Sequence, residues 1–354
     1  MGRIRQFTTE DIPRVVELNQ KLFPESKRLS SERQEYLFNE ICFHNPWYDD
    51  EISSLVYEEG HGMITGFLGV VPRRMSFDGR PIRVAVSQHL MVDKSALASL
   101  QLFKTFLSGP QDLSMTDMSI DVARTIWERL GGSTVFAHSI YWRRPLQPLT
   151  FAIPYLRKKK KAIQVTSKKI LPFIDSIFAN IPGNPLRPIK PSVTAKDLTI
   201  EEFLENIPKF TLKYNLRPEY DYNTITWLFN MLDREKRFGD LHKVVVYNLQ
   251  HEMLGWYLVN LNHGGRSEVI QVVGRKDTIK TVIEHLFYTA WNGGSIELVG
   301  RLDPDSVNEF PDKFCLFMPG RNWMLVHSRQ PDIIEAIQSN HAFLTRLEGD
   351  LWFL

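Results

Sequence analysis

Cysteine is nearly missing: Cys42 and Cys315 are the only two in 354 residues. Two cysteines so far apart make neither a disulfide framework nor a metal cluster. A reducing compartment follows as the expectation, with a lone structural bridge left open. Long apolar runs are missing too, since none approaches the ~20 residues that span a bilayer. The opening MGRIRQFTTEDIPRVV lacks the apolar core of a secretion signal and turns acidic early. The expected location is cytoplasmic. Neither sign of charge is in excess, because 43 Lys and Arg against 41 Asp and Glu leave +2. No global field therefore draws the chain to DNA. There is no nucleotide P-loop, and no metal-ligand spacing stands out among the ten histidines.

What is present is the makeup of a folded protein, 43% hydrophobic and 12% aromatic. The length is more than one typical core requires and suits two domains. In IRQFTTEDIPRVVELNQKLFP a strand precedes a helix. Thr8 and Asp11 have capping-box spacing, and Pro13 sits in the first turn, where its missing N–H costs little. Ile12, Val15, Val16, Leu22 and Phe23 recur at helical spacing. A second helix is expected near 31–41. Three apolar runs from Ser53 to Asp93, separated by EEGHG and FDGRP, read as a meander. Leu97, Leu100, Phe103 and Phe106 line one face of a helix over about 95–107, and Gly109-Pro110 stops it. DLSMTDMSI reads as a strand, and DVARTIWERLGG as a helix closed by glycine.

The segment 151–196 differs. It holds RKKKK at 157–161 and five prolines between 172 and 191. It reads as a basic, Pro-rich linker, since a run of like charges is usually a solvated one. A second cycle follows: helices in 201–238, a hairpin in HKVVVYNLQHEMLGWYLVNL, a strand SEVIQVVG and a helix over 277–292. SIELVGRL, CLFMPG and WMLVHS read as strands, and PDIIEAIQSNHAF as a terminal helix. The expected fold class is mixed α/β, with two domains at 1–150 and 197–354, each a mainly antiparallel sheet flanked by helices.

The ordered set over Arg3 to Pro148 resembles the GCN5-related N-acetyltransferase family. The carriers are IRQFTTEDIPRVVELNQKLF, IRVAVSQHLMVDKSALASLQLFKTFL and IDVARTIWERLGG. The second half is similar to a more diverged copy, so the chain resembles a tandem member with a degenerate coenzyme A motif. The resemblance implies an acyltransferase using acetyl-coenzyme A, or another acyl-coenzyme A, as co-substrate, with no metal. In that fold a splayed strand binds the pantetheine arm through its main chain. Helix-start amides take the pyrophosphate. By position, Leu90, Met91 and Val92 would meet pantetheine. The amides of Ala96, Leu97, Ala98, Ser99 and Leu100 would face the pyrophosphate. The usual loop glycines and arginine are missing, so an ordinary helix start is the other reading.

Thioester acyl transfer needs a route for the nucleophile's proton and donors for the oxyanion. His89 is the one residue of AVSQHLMVD that titrates near neutrality, and Asp117 lies on the next strand. Both are catalytic candidates, and both also suit structural hydrogen bonding. Gln88 is a substrate-holding candidate. Ile120 and Trp127 stand where the family often has Asn and Tyr. Trp127 reads as packing, because an indole cannot protonate a thiolate. The acceptor implied by the resemblance is an amine of a small molecule or glycan. Two other readings remain open: a non-catalytic scaffold, and a transferase using aminoacyl-tRNA, which the basic tract suits.

Overall fold

The computed structural model describes residues 2–93, 95–152, 175, 184, 187–234, 236, 239–310, 313–319 and 322–350. The RKKKK tract and most of the Pro-rich segment lie outside the described residues, as do the last four of HAFLTRLEGDLWFL.

In chain order the strands are β1 (Arg3–Gln6), β2 (Leu55–Glu59), β3 (Met63–Phe77), β4 (Arg80–Val92), β5 (Leu113–Ser119), β6 (Ser133–Thr134), β7 (Ile140–Pro145), β8 (Thr194–Asp197), β9 (Leu216–Pro218), β10 (Asp240–Tyr247), β11 (Met253–Leu261), β12 (Arg266–Gly274), β13 (Glu297–Arg301), β14 (Leu316–Pro319) and β15 (Trp323–Ser328). The helices are α1 (Ile12–Leu22), α2 (Ser31–Cys42), α3 (Ala96–Leu107), α4 (Asp121–Arg129), α5 (Ile200–Thr211), α6 (Tyr222–Arg234), α7 (Ile279–Asn292) and α8 (Pro331–Gln338). The fold is mixed α/β with two mainly antiparallel sheets, as the alternating apolar runs require.

The chain divides into two compact units. One comprises 1–139, 211–228 and 321–354, and the other 140–210 and 229–320. The boundaries 1–150, 151–196 and 197–354 read from the sequence follow the chain, whereas these units do not. β15, late in the chain, pairs with β5 and β6 in the first unit's sheet, ordered β1-β2-β3-β4-β5-β15-β6. β7, early in the chain, lies between β14 and β13 in the second unit's sheet, ordered β14-β7-β13-β12-β11-β10-β8.

In the first unit the entry into α1 is the expected capping box. It forms a 3-10 turn over Thr9–Asp11 before the α-helix begins. The Thr8 amide donates to Asp11 Oδ2 at 3.0 Å, and Arg5 holds both Asp11 oxygens. Burial alone would raise the Asp11 carboxyl, but the bonds from Arg5 and Thr8 outweigh it and hold it below its ordinary value. One sheet face packs Phe67 and Met91 with Val15, Val16 and Phe38 of α1 and α2. The other packs Leu68, Val70 and Ala85 with Leu102 and Phe103 of α3 and Trp127 of α4. Each fully buried side chain of this kind contributes about 1.5–3 kcal/mol.

Candidate functional site

β4 is 13 residues long, yet its parallel pairing with β5 covers only Val84, Ala85 and Val86. From Ser87 to Val92 the β5 side of the strand carries no rung. On the other side, Phe67 pairs Met91 and Gly69 pairs Gln88, so His89 and Leu90 stand opposite Leu68 alone. That is a β-bulge, which bends a strand and re-aims its main chain. His89 takes the bulge's positive φ of 49°. The bend and the lost rungs together open the sheet at Leu90, Met91 and Val92. Met91 is 1% exposed and packs in the core with Phe67, whereas Leu90 and Val92 on either side of it are part-exposed.

α3 starts just beyond. Its first two amides, Ala96 and Leu97, donate to no described residue. Ser95 is the N-cap, and its hydroxyl accepts from the Ala98 amide at 3.2 Å. The Ser99 amide bonds Ser95 O at 3.3 Å. Of the five amides picked out by the sequence, Ala98 and Ser99 are therefore engaged locally, and Leu100 lies within the helical ladder. Two N–H groups with a positive helix end remain for an anion. The residues fit a pyrophosphate through fewer amides than a Gly-rich loop supplies.

The second unit repeats the plan. β12 pairs β13 only over Arg266 to Glu268, and Ile270 is an extra residue against β11. Its helix start has more of its amides engaged, however. The Thr278 and Ile279 amides both bond Arg275 O, and the Arg275 amide bonds Thr278 Oγ1. A Cβ on Gly274 would lie 2.9 Å from Ile279 Cα, so the strand end is pressed onto the helix. A cavity of about 260 Å³ nearby is lined by Asn206, Lys209, Phe210, Glu252, Met253 and Arg275. His285 is buried against the Tyr257 hydroxyl at 3.0 Å, a packing position.

His89 has Nε2 2.8 Å from Asn19 Oδ1 and lies against the rings of Phe23 and Phe38. Burial pushes it down to about 3. It is neutral at neutral pH, and Nε2 is the donor, because the Asn19 oxygen can only accept. Gln88, 5% exposed, has no partner for Nε2 among the described residues. Asp117, 2% exposed, lies under the C-terminal segment. The Asp350 amide donates to its Oδ1 at 2.7 Å, and Arg346 Nε is 3.5 Å from Oδ2. Trp127 is fully buried, and its Nε1 donates to Val326 O at 3.2 Å.

Sequence reasoning missed the polar group on the same face as Gln88. Arg73, on β3, is 7% exposed and stacks over Trp47 at 4.2 Å. The Tyr220 hydroxyl donates to Glu348 at 2.5 Å. Burial and Glu348 push Tyr220 well above its ordinary value, so it stays a phenol. The missed signal was VVPRRMS: adjacent arginines on a strand face opposite ways, and a strand buried on both faces must bury one.

Among the described residues no group of His, Cys, Asp and Glu could hold a metal ion, and no helix is long and apolar enough to cross a membrane. No protein-family profile matches the sequence, and no curated protein matches it. Solved structures do. A probable N-acyltransferase from Enterococcus faecalis V583 aligns over 93% of this chain and 73% of its own, at TM-score 0.55 and 12% identity. A GCN5-related N-acetyltransferase from Anabaena variabilis ATCC 29413 aligns over 92% and 72%, at 0.55 and 12%. N-myristoyltransferase from Saccharomyces cerevisiae, solved with myristoyl-CoA and inhibitors, aligns over 92% and 79%, at 0.52 and 11%. The splayed β4–β5 pair, its bulge and the helix that follows are thus parts of a chain with the fold of the GCN5-related N-acetyltransferases and N-myristoyltransferase, spread over two sheets.

Proposed function

We propose that the chain is an acyl-coenzyme A-dependent N-acyltransferase whose first unit holds the acyl donor, acetyl-coenzyme A in the simplest case. The observation that carries the reading is the opening of β4 from Ser87 to Val92, followed by two amides, Ala96 and Leu97, that donate to no described residue. At the corresponding helix start in the second unit the Thr278 and Ile279 amides are spent on Arg275, which favours the first unit. Leu90, Met91 and Val92 hold the pantetheine arm by their main chain, as an added strand is held. The donor supplies an electrophilic thioester carbonyl. An uncharged amine nitrogen forms the C–N bond, the C–S bond breaks, and the nitrogen's proton passes to water. The departing thiolate takes its proton from water as well, since the Trp127 N–H is spent on Val326.

His89, neutral and donating to Asn19, holds the bulge and with it the direction of the β4 main chain. Asp117 anchors residues 346–350 rather than meeting solvent. Calorimetric titration with acetyl-coenzyme A tests the donor site, with Leu97→Glu as control. Leu97 is half-exposed, so the substitution puts a negative charge beside the amides without emptying the core. Binding in the wild type that Leu97→Glu abolishes supports the reading. Wild-type protein that binds no acyl-coenzyme A at millimolar concentration overturns it and leaves the scaffold reading.

A further inference from the structure

In chain order β8-α5-α6-β10-β11-β12-α7-β13 repeats β1-α1-α2-β2-β3-β4-α3-β5, apart from β9, which joins the first sheet. The repeat lets the two units be compared position by position. In the first unit Lys21, next to last in α1, pairs at 2.5 Å with Asp93, the residue after β4. That ion pair ties the end of the helix to the end of the strand. In the second unit Lys209 is third from last in α5, and the residue after β12 is Arg275. A cation stands where the first unit has its acid. Lys209 and Arg275 both line the cavity of about 260 Å³, with Asn206, Phe210, Glu252 and Met253.

The walls decide what the cavity takes. Asn206, Lys209 and Phe210 are spaced i, i+3, i+4 and share a face of α5. Phe210, 9% exposed, packs edge-on against Trp256 with ring centroids 5.0 Å apart, and Met253 is half-buried. These two side chains are the apolar part of the lining. The Arg275 guanidinium lies over the Phe210 ring, 5.6 Å from its centroid. A guanidinium so placed keeps its planar fork for a carboxylate. Among the described residues each cation pairs within its own segment, Lys209 with Glu205 at 2.9 Å and Arg275 with Asp277 at 3.8 Å. All four of those side chains are more than half exposed, where ion pairs are weak and easily exchanged. Glu252 is held by the Asn248 side chain at 2.7 Å in the turn between β10 and β11. An inorganic anion would answer the two cations and leave Phe210 and Met253 wet. A neutral apolar molecule would cover those two and leave the cations as they are. A carboxylate with an apolar body answers both.

We propose that the second unit's cavity binds a small carboxylic acid with an apolar body. Its carboxylate lies between Lys209 and Arg275, in the place that Asp93 has in the first unit, and its body rests on Phe210 and Met253. The proposal does not rest on the acyltransferase reading.

Calorimetry on the full chain tests it with benzoate, phenylacetate and hexanoate, each against its carboxamide, and with acetate and phenyl phosphate. At least one of the three acids is expected to bind about tenfold or more tighter than its carboxamide and than acetate, the scale of one charge-assisted contact. Arg275→Gln is expected to weaken that acid by about tenfold and to leave its carboxamide unchanged. Arg275→Asp supplies the acid that the first unit has and is expected to abolish binding while thermal unfolding stays cooperative. Arg275 is exposed, and its main chain still closes the turn into α7, so neither substitution empties the core. Failure of all three acids to bind at millimolar concentration overturns the proposal. So does equal binding of acid and carboxamide, acetate binding as tightly as the larger acids, a preference for phenyl phosphate, or binding that survives Arg275→Asp. Acetyl-coenzyme A is titrated into Arg275→Asp as well. Unchanged affinity supports a site apart from the acyl donor's. Affinity lost there would assign the cavity to the acyl donor and overturn both this proposal and the first-unit reading.

Discussion

At the scale of single residues, burial decides what the titratable groups can do. His89 on β4 was legible as the group nearest neutrality, but its role depends on two things no single sequence reveals: a bulge that gives it positive φ, and Asn19, 70 residues earlier, as its partner. Its ordinary value is 6.5, and in the folded chain it is about 3. Between those values the unfolded chain binds more protons, so stability falls as pH drops through the window, by up to ~1.4 kcal/mol per pH unit. Above 6.5 the residue contributes no slope. Urea unfolding from pH 7 to 4 should show this slope in the wild type and lose it in His89→Gln, whose amide keeps a donor for Asn19. An unchanged slope would mean that His89 is not held neutral. Gly349 makes a second case. A Cβ there would sit 2.2 Å from Asp117 Oδ2. Gly349→Ala should therefore destabilise by roughly 1–3 kcal/mol, the usual cost of overpacking. Equilibrium denaturation measures it, and a loss under about 0.5 kcal/mol, the range of ordinary surface changes, would show that the C-terminal segment does not bear on Asp117.

At the scale of elements, strands and helices follow period and caps, which is why most could be read. The order β-α-α-β-β-β-α-β-α of the first half came from apolar spacing, turn residues and the Thr8–Asp11 box, and the structure has it. β7 was not read, for the same reason that Arg73 was not: IYWRRP hides a buried strand behind two arginines. Arg143 pairs with Glu297 and Arg144 lies over Phe287, so neighbours distant in sequence make the charges tolerable. The helix start at α3 was placed correctly, but its cap was not foreseen, and the cap decides how many amides an anion finds. Ser95→Asp tests that directly. Aspartate caps about as well as serine, so thermal stability should hold within about 0.5 kcal/mol. Its charge beside the Ala96 and Leu97 amides should weaken acetyl-coenzyme A binding about tenfold or more, read by calorimetry. Stable protein with undiminished affinity would move the pyrophosphate away from this helix.

At the scale of the whole chain, the halves seen in the sequence are not the units seen in the structure, because strand exchange leaves no local mark. β5 pairs β15 across about 200 residues of chain, from Leu113↔Ser328 to Ser119↔Trp323, and β6 has β15 as its partner. β7 is likewise built into the sheet that holds β13 and β14. Hydrophobic pattern says that such strands are buried, but not in which sheet. The consequence is thermodynamic. A fragment of residues 1–150 lacks β15, so it leaves one edge of β5 and all of β6 unpaired, with Leu325 and Val326 gone from the core. It also carries β7 with no sheet to join. That fragment is expected to aggregate or to unfold without a cooperative transition, whereas 1–150 produced together with 151–354 should recover soluble protein, because the second piece returns β15 and accepts β7. Circular dichroism through a urea series decides between these outcomes. A sharp, reversible transition for 1–150 alone would mean that the first sheet closes without β15, and the compact units would then be divisible where the sequence alone divides them.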